Sequence, residues 1–221
     1  MVIGKKQSAD NFWRGSMLPL WSKDFPVVVS WSPKSGCTTI LKWFLDQNNL
    51  LEAAYSHNPW VHEYREKILY AQKNYKTECK DAFTKNTQKK YILKVIRNPL
   101  HRSVSSYLHY LRYGVLTKGW EVVREIETWK ASNGLSRQKG LSFRQFLNFV
   151  LNQDLISIRN DPHFGQQYDA RQDEKVDLFI PIESISSEIR KIENKFGMTK
   201  IDLNELSNSV HNNRTSDSHN W

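Results

Sequence analysis

Seven residues, Pro33-Lys-Ser-Gly-Cys-Thr-Thr39, gather a lysine, three hydroxyls and a glycine into one short stretch. A turn that opens a helix presents unpaired backbone N–H groups and the positive end of the helix dipole. Together these make a site for an anion. Gly36 lets the backbone approach that anion closely. Ser35, Thr38 and Thr39 add hydroxyl donors, and Lys34 adds a point charge. The order differs from the GxxxxGK[ST] loop that cradles nucleotide triphosphates. Here the lysine precedes the glycine and no Gly-Lys-Ser/Thr follows, so no hydroxyl is placed by that rule to hold magnesium.

A second stretch, Arg97-Asn-Pro-Leu-His-Arg-Ser-Val-Ser-Ser-Tyr107, carries two arginines and three serines. Arg97 offers a planar fork of N–H donors, and a turn followed by a helix brings the Ser105 hydroxyl back beside it. A guanidinium with a hydroxyl suits a phosphate monoester. Arg102 either joins that site or caps the helix region. Two anion sites on neighbouring strand ends imply a ligand with two separated anionic groups, such as a bisphosphorylated nucleotide.

The flanking pattern supplies the elements that position both stretches. Phe25-Pro-Val-Val-Val-Ser-Trp31 is a continuous apolar, β-branched run, the mark of a strand buried on both faces. Thr38 to Leu50 is apolar at Ile40, Leu41, Trp43, Phe44 and Leu45, a helical period. Residues 60–85 read as one or two helices. Tyr91–Ile96 is a second strand, and Pro99 suits the first turn of a helix reaching about Tyr113. Residues 119–131 and 142–152 read as helices, 157–174 as irregular, 176–180 as a third strand and 184–196 as a helix. Strands alternating with helices predict an α/β fold, a P-loop-like three-layer sandwich with a central parallel sheet and helices on both faces. Ligands of such sheets bind at the carboxyl ends of the strands, where both stretches fall. Residues 1–24 read as an arm packed on a single domain spanning 25–221.

The composition bounds the rest. The chain has 221 residues, 39% hydrophobic and 25% charged, ordinary for a globular protein. Lysine and arginine outnumber aspartate and glutamate by 32 to 23, a net charge of +9, which favours an anionic partner. Cys37 and Cys79 are the only cysteines, too few for a disulfide framework or a cysteine metal cluster. No signal peptide or membrane span is legible, so a soluble, cytoplasmic chain is expected.

Taken together, the two stretches resemble the paired motifs of sulfotransferases that use 3′-phosphoadenosine-5′-phosphosulfate (PAPS). Pro33–Thr39 is similar to their 5′-phosphosulfate loop, and Arg97-Asn-Pro-x-x-Arg-x-x-Ser105-x-Tyr107 to their 3′-phosphate motif. Cys37 after the glycine resembles the carbohydrate sulfotransferase branch. So does Asp161-Pro-His-Phe-Gly-Gln-Gln167, similar to a His-aromatic-x-Pro-Gln segment with Gly165-Gln166 standing where x-Pro would. His211-Asn-Asn-Arg-Thr215 is similar to a late segment of the same branch.

The resemblance implies that Lys34, Ser35, Gly36, Cys37, Thr38 and Thr39 hold the phosphosulfate, while Arg97 and Ser105 hold the 3′-phosphate. Lys34 is then placed to neutralise charge on the oxygen of the leaving product, 3′-phosphoadenosine-5′-phosphate (PAP). For the acceptor's base, His163 is the first choice, His57 the second and His62 the third, with Glu63 as a carboxylate alternative. Arg214 joins the candidates for the 3′-phosphate. No metal is required, and the acceptor is a carbohydrate or small molecule rather than nucleic acid. The competing readings are a nucleotide kinase with a variant phosphate loop, and a non-catalytic basic module for acidic glycan or nucleic acid. The oligomeric state is open.

Overall fold

The computed structural model describes residues 17–114, 121–136, 139–153 and 162–208. Strand β1, Val27–Trp31, has all five residues buried. Successive side chains of a strand point to opposite faces, so this burial means that both faces of β1 are covered. β2, Tyr91–Ile96, and β3, Leu178–Pro181, complete a three-stranded sheet in the order β1-β2-β3. Both pairings are parallel, Val27 opposite Tyr91 and Leu93 opposite Leu178. The outer edge of β1 is partly closed by Leu20, whose backbone exchanges 2.9 and 3.0 Å hydrogen bonds with Val29 in an antiparallel bridge. An unpaired strand edge invites pairing with another chain, and this short arm segment occupies it.

The chain enters α1, Cys37–Gln47, directly from the first turn, then α2, Leu51–His57. The lysine- and aromatic-rich stretch that follows divides into α3, Val61–Tyr64, a π turn at Arg65–Leu69, and α4, Tyr75–Thr84. β2 leads into α5, Pro99–His109, which ends in a second π turn at Tyr110–Gly114. Next come α6, Glu121–Ser132, and α7, Phe143–Leu151, whose Ser142 and Gln145 form a reciprocal capping box. A one-turn helix α8, Ala170–Asp173, precedes β3. A 3-10 turn at Ile182–Ser184 leads to α9, Ile185–Phe196, and the described chain closes with α10, Leu203–Asn208.

Two apolar clusters hold these elements. The larger joins the sheet to Ile40, Leu41, Trp43, Phe44 and Leu45 of α1 and to Ile189 and Ile192 of α9. The smaller joins Tyr110, Val122, Ile126, Leu141, Phe146, Phe149 and Phe164. Each large apolar side chain fully buried contributes about 1.5–3 kcal/mol, so the larger cluster around the sheet and α1 carries most of this stabilisation among the described residues. The α/β fold with a parallel sheet and surrounding helices is the one expected from the alternation of strands and helices. The third strand differs in its limits, beginning at Leu178 rather than Val176. The Val176 N–H turns back to the Asp173 carbonyl, 3.2 Å away, which closes the turn from α8. Residues 1–16 of the arm, Asp161 and the His211–Thr215 segment with Arg214 lie outside the described residues.

Candidate functional site

The first turn leaves β1 at Trp31 and reaches α1 through two residues of positive φ, Lys34 at 68° and Gly36 at 78°. Only glycine occupies that region without steric cost, so Lys34 is held there by its surroundings. A Cβ on Gly36 would lie 2.5 Å from Cδ1 of Ile182. The glycine is thus required both by its backbone and by the side chain packed behind it. Ser32 and Ser35 share a 3.0 Å hydroxyl contact across the turn. α1 starts at Gly36 with no side-chain cap, the condition in which a helix N-terminus is open to an anion.

The second turn leaves β2 at Ile96. Asn98 caps α5, its Oδ1 accepting from the N–H groups of Leu100 and His101. Arg97 is half-buried, and its Nη1 donates to the carbonyl of Lys34 at 3.1 Å. The two turns singled out for anion chemistry therefore touch. Ser105 lies half-buried on α5.

Beneath them lies a residue that periodicity did not single out. Gln167 Oε1 accepts from Ser35 Oγ at 2.7 Å and from the Arg97 N–H at 2.7 Å, while its Nε2 donates to the Arg97 carbonyl at 2.9 Å. One amide thereby clamps both turns. Its own carbonyl accepts from Lys94 Nζ, which is buried in an ion pair with Asp173 at 2.5 and 2.7 Å. Arg102 is a second strut, neither a cap nor, through these bonds, an anion ligand. Its Nε donates to the Pro33 carbonyl, and Nη1 and Nη2 donate to the carbonyls of Gly165 and Pro162. Burial lowers its pKa to about 10. The one signal for Gln167 was its place at the end of the family-like segment 161–167.

Three histidines surround this edge. His62 is buried, with Nε2 2.9 Å from Thr38 Oγ1 and Nδ1 2.9 Å from Arg65 Nη1. Burial first, then the charges of Arg65, His163, Lys34 and Lys42, lower its pKa to about 3. The rings of His109 and His163 lie 4.2 Å apart. Burial first, then His163, Lys34 and Arg112, lower the pKa of His109 to about 3. Both imidazoles are therefore neutral near pH 7 and feel the field of Lys34. The His163 carbonyl accepts from Ser106 Oγ at 2.7 Å, fixing its backbone to α5.

Of the three histidines proposed for the base, His163 and His62 reach this edge. His57 sits exposed at the end of α2, its ring 5.9 Å from that of Tyr64. Glu63 accepts a short hydrogen bond from the Asn58 side chain. The sequence could not reveal the partnership of His62 with Thr38, because 24 residues and a helix separate them.

Among the described residues no helix is long and apolar enough to cross a membrane. Residues 22–220 match the model of the sulfotransferase family. No curated protein and no solved structure matches the chain.

Proposed function

The chain belongs to the sulfotransferase family, and we propose that it takes its sulfuryl group from PAPS and delivers it to a hydroxyl or amine of a carbohydrate or small-molecule acceptor, releasing PAP. The observation that carries this reading is the 3.1 Å bond from Arg97 to the Lys34 carbonyl. It sets an open helix N-terminus beside a guanidinium, as a nucleotide with anions at both ends requires. In this reading Lys34, Thr38, Thr39 and the backbone of Ser35 to Cys37 hold the 5′-phosphosulfate. Arg97 and Ser105 hold the 3′-phosphate.

The chemistry is in-line displacement, in which positioning and charge stabilisation dominate. The acceptor oxygen attacks sulfur, the bond from sulfur to the phosphate oxygen of PAP breaks, and Lys34 offsets the charge left there. The acceptor's proton passes to a base. His163, whose ring lies 4.2 Å from that of neutral His109, is the first candidate for that base. His57, exposed at the end of α2, is a candidate on the acceptor side. The likenesses of Cys37 and His163–Gln167 to the carbohydrate branch support a carbohydrate as one candidate acceptor.

Calorimetric titration with PAP, with ADP and ATP–magnesium as controls, tests the donor. The expected outcome is micromolar PAP binding without metal, far weaker ADP binding, and loss of affinity in Lys34→Ala and Arg97→Ala. PAP binding no tighter than ADP binding would remove the donor assignment and turn attention to glycan and nucleic-acid binding.

A further inference from the structure

We propose that Arg65 and His62 are a positioning pair that forces the Thr38 hydroxyl to donate its proton toward the bound anion, and that His62 is consequently not the acceptor's base. This rests on the reading of Pro33–Thr39 as the donor loop.

The argument follows from which groups can donate. A guanidinium has only N–H donors and is never deprotonated in a protein. Arg65 Nη1 lies 2.9 Å from His62 Nδ1, so Nδ1 must be the acceptor. The imidazole then carries its one proton on Nε2, which lies 2.9 Å from Thr38 Oγ1. Thr38 Oγ1 accepts that proton's hydrogen bond, and its own O–H has to point elsewhere. Thr38 is the second residue of α1 and half-buried, at the uncapped helix start where the anion would sit. Arginine, histidine and threonine form a chain of hydrogen bonds that run in one direction, from a buried cation to the loop. Chains of this kind polarise each member in turn.

Arg65 is held in place for this role. Its guanidinium lies 4.6 Å from the Trp31 ring and 5.5 Å from the Tyr70 ring, and Nη2 donates to Glu66 at 2.8 Å. Trp31 is the last residue of β1, so the strand that launches the donor loop also supports the arginine. The π turn begins at Arg65 itself, and such turns recur at functional sites. The shift of His62 to a pKa of about 3 agrees with this lock. Protonation would place an Nδ1–H against the guanidinium. A base needs a free lone pair, but Nδ1 has given its own to Arg65 and Nε2 has none.

Long-range proton–nitrogen spectra of the full chain labelled with nitrogen-15 histidine, assigned with His62→Leu, read the tautomer directly. The expected result is a single Nε2–H form for His62 that does not titrate between about pH 5 and 8. An Nδ1–H form, or titration in that window, overturns the proposal. The second readout is PAP affinity. Thr38→Val and His62→Leu should each weaken binding about 10-fold, the scale of a hydrogen bond to an anion. The double variant should be no weaker than either single one, and Thr38→Ser should restore most of the loss. Additive losses, or unchanged affinity in His62→Leu, would show that His62 acts only through packing and would overturn the proposal. If the wild type binds no PAP, the donor reading falls and takes the anion with it, while the tautomer spectrum still decides whether the lock exists.

Discussion

The two strand-end turns share a topology and solve the same problem by opposite means. After β1, Lys34 and Gly36 take positive φ and α1 starts without a side-chain cap. The main-chain N–H groups of this helix start are left open beside the side chains of Lys34 and Thr38, and the geometry that aims them is stored in backbone conformation and in the packing of Ile182 on Gly36. After β2, no residue of the turn has positive φ, and Asn98 already satisfies the first N–H groups of α5. That helix start is closed, so in the proposed donor site recognition falls to the side chain of Arg97. One turn is specified by shape and the other by charge. A single glycine and a single arginine are therefore not equivalent targets, although both sit in a turn between a strand and a helix.

The largest expected effect comes from removing what the turns share. Asp173→Asn leaves Lys94 charged and unpaired beneath Gln167, and breaking a buried pair this way costs about 3–5 kcal/mol. Thermal unfolding should fall by about 10 °C, and both anion sites should weaken together. If they do not, the turns do not depend on a common floor.

Next comes Gly36→Ala, which meets both the φ of 78° and the Ile182 contact. It should cost about 1–3 kcal/mol of stability. PAP affinity should drop by about 100-fold, with binding of adenosine 3′-monophosphate much less affected. Arg97→Ala should show the reverse selectivity. Loss of one charged fork is worth about 10-fold in affinity for PAP, and little for adenosine 5′-phosphosulfate. Equal losses for both probes in either variant would erase the distinction between shape and charge. The smallest effect is Asn98→Ala, about 1 kcal/mol of stability for the lost cap, with PAP affinity close to wild type because that helix start is not offered to the ligand.

Much of this was legible before any coordinates. The continuous apolar, β-branched run Phe25–Trp31 announced β1, and Pro99 announced the start of α5. The residues of both turns were named from their chemistry, and the turns do meet. What escaped has a physical reason in each case. Gln167 acts from an irregular stretch with no period to betray it, 70 residues from Arg97. The His62–Thr38 contact depends on how α3 packs beside α1, and the following helical stretch is broken by a π turn and by Asn74 at a φ of 69°. Neither break leaves a Gly or Pro as a marker. Arg102, read from the sequence as joining the anion site or capping the helix region, instead donates to the backbone carbonyls of Pro33, Pro162 and Gly165, which sequence neighbours cannot reveal.

Ile182, the residue that walls the back of Gly36, follows directly on β3. Val27 must find Tyr91, 64 residues later, and Leu93 must find Leu178, 85 residues later. Such distant pairings are slow to form, and during synthesis they cannot be made until the later strand has left the ribosome. A nascent chain that stops short of Pro181 already holds every residue of the first turn, but neither the third strand nor the side chain against which the glycine is fitted. The anion grip proposed for this turn would thus be acquired late in translation, although the residues assigned to it are among the earliest made.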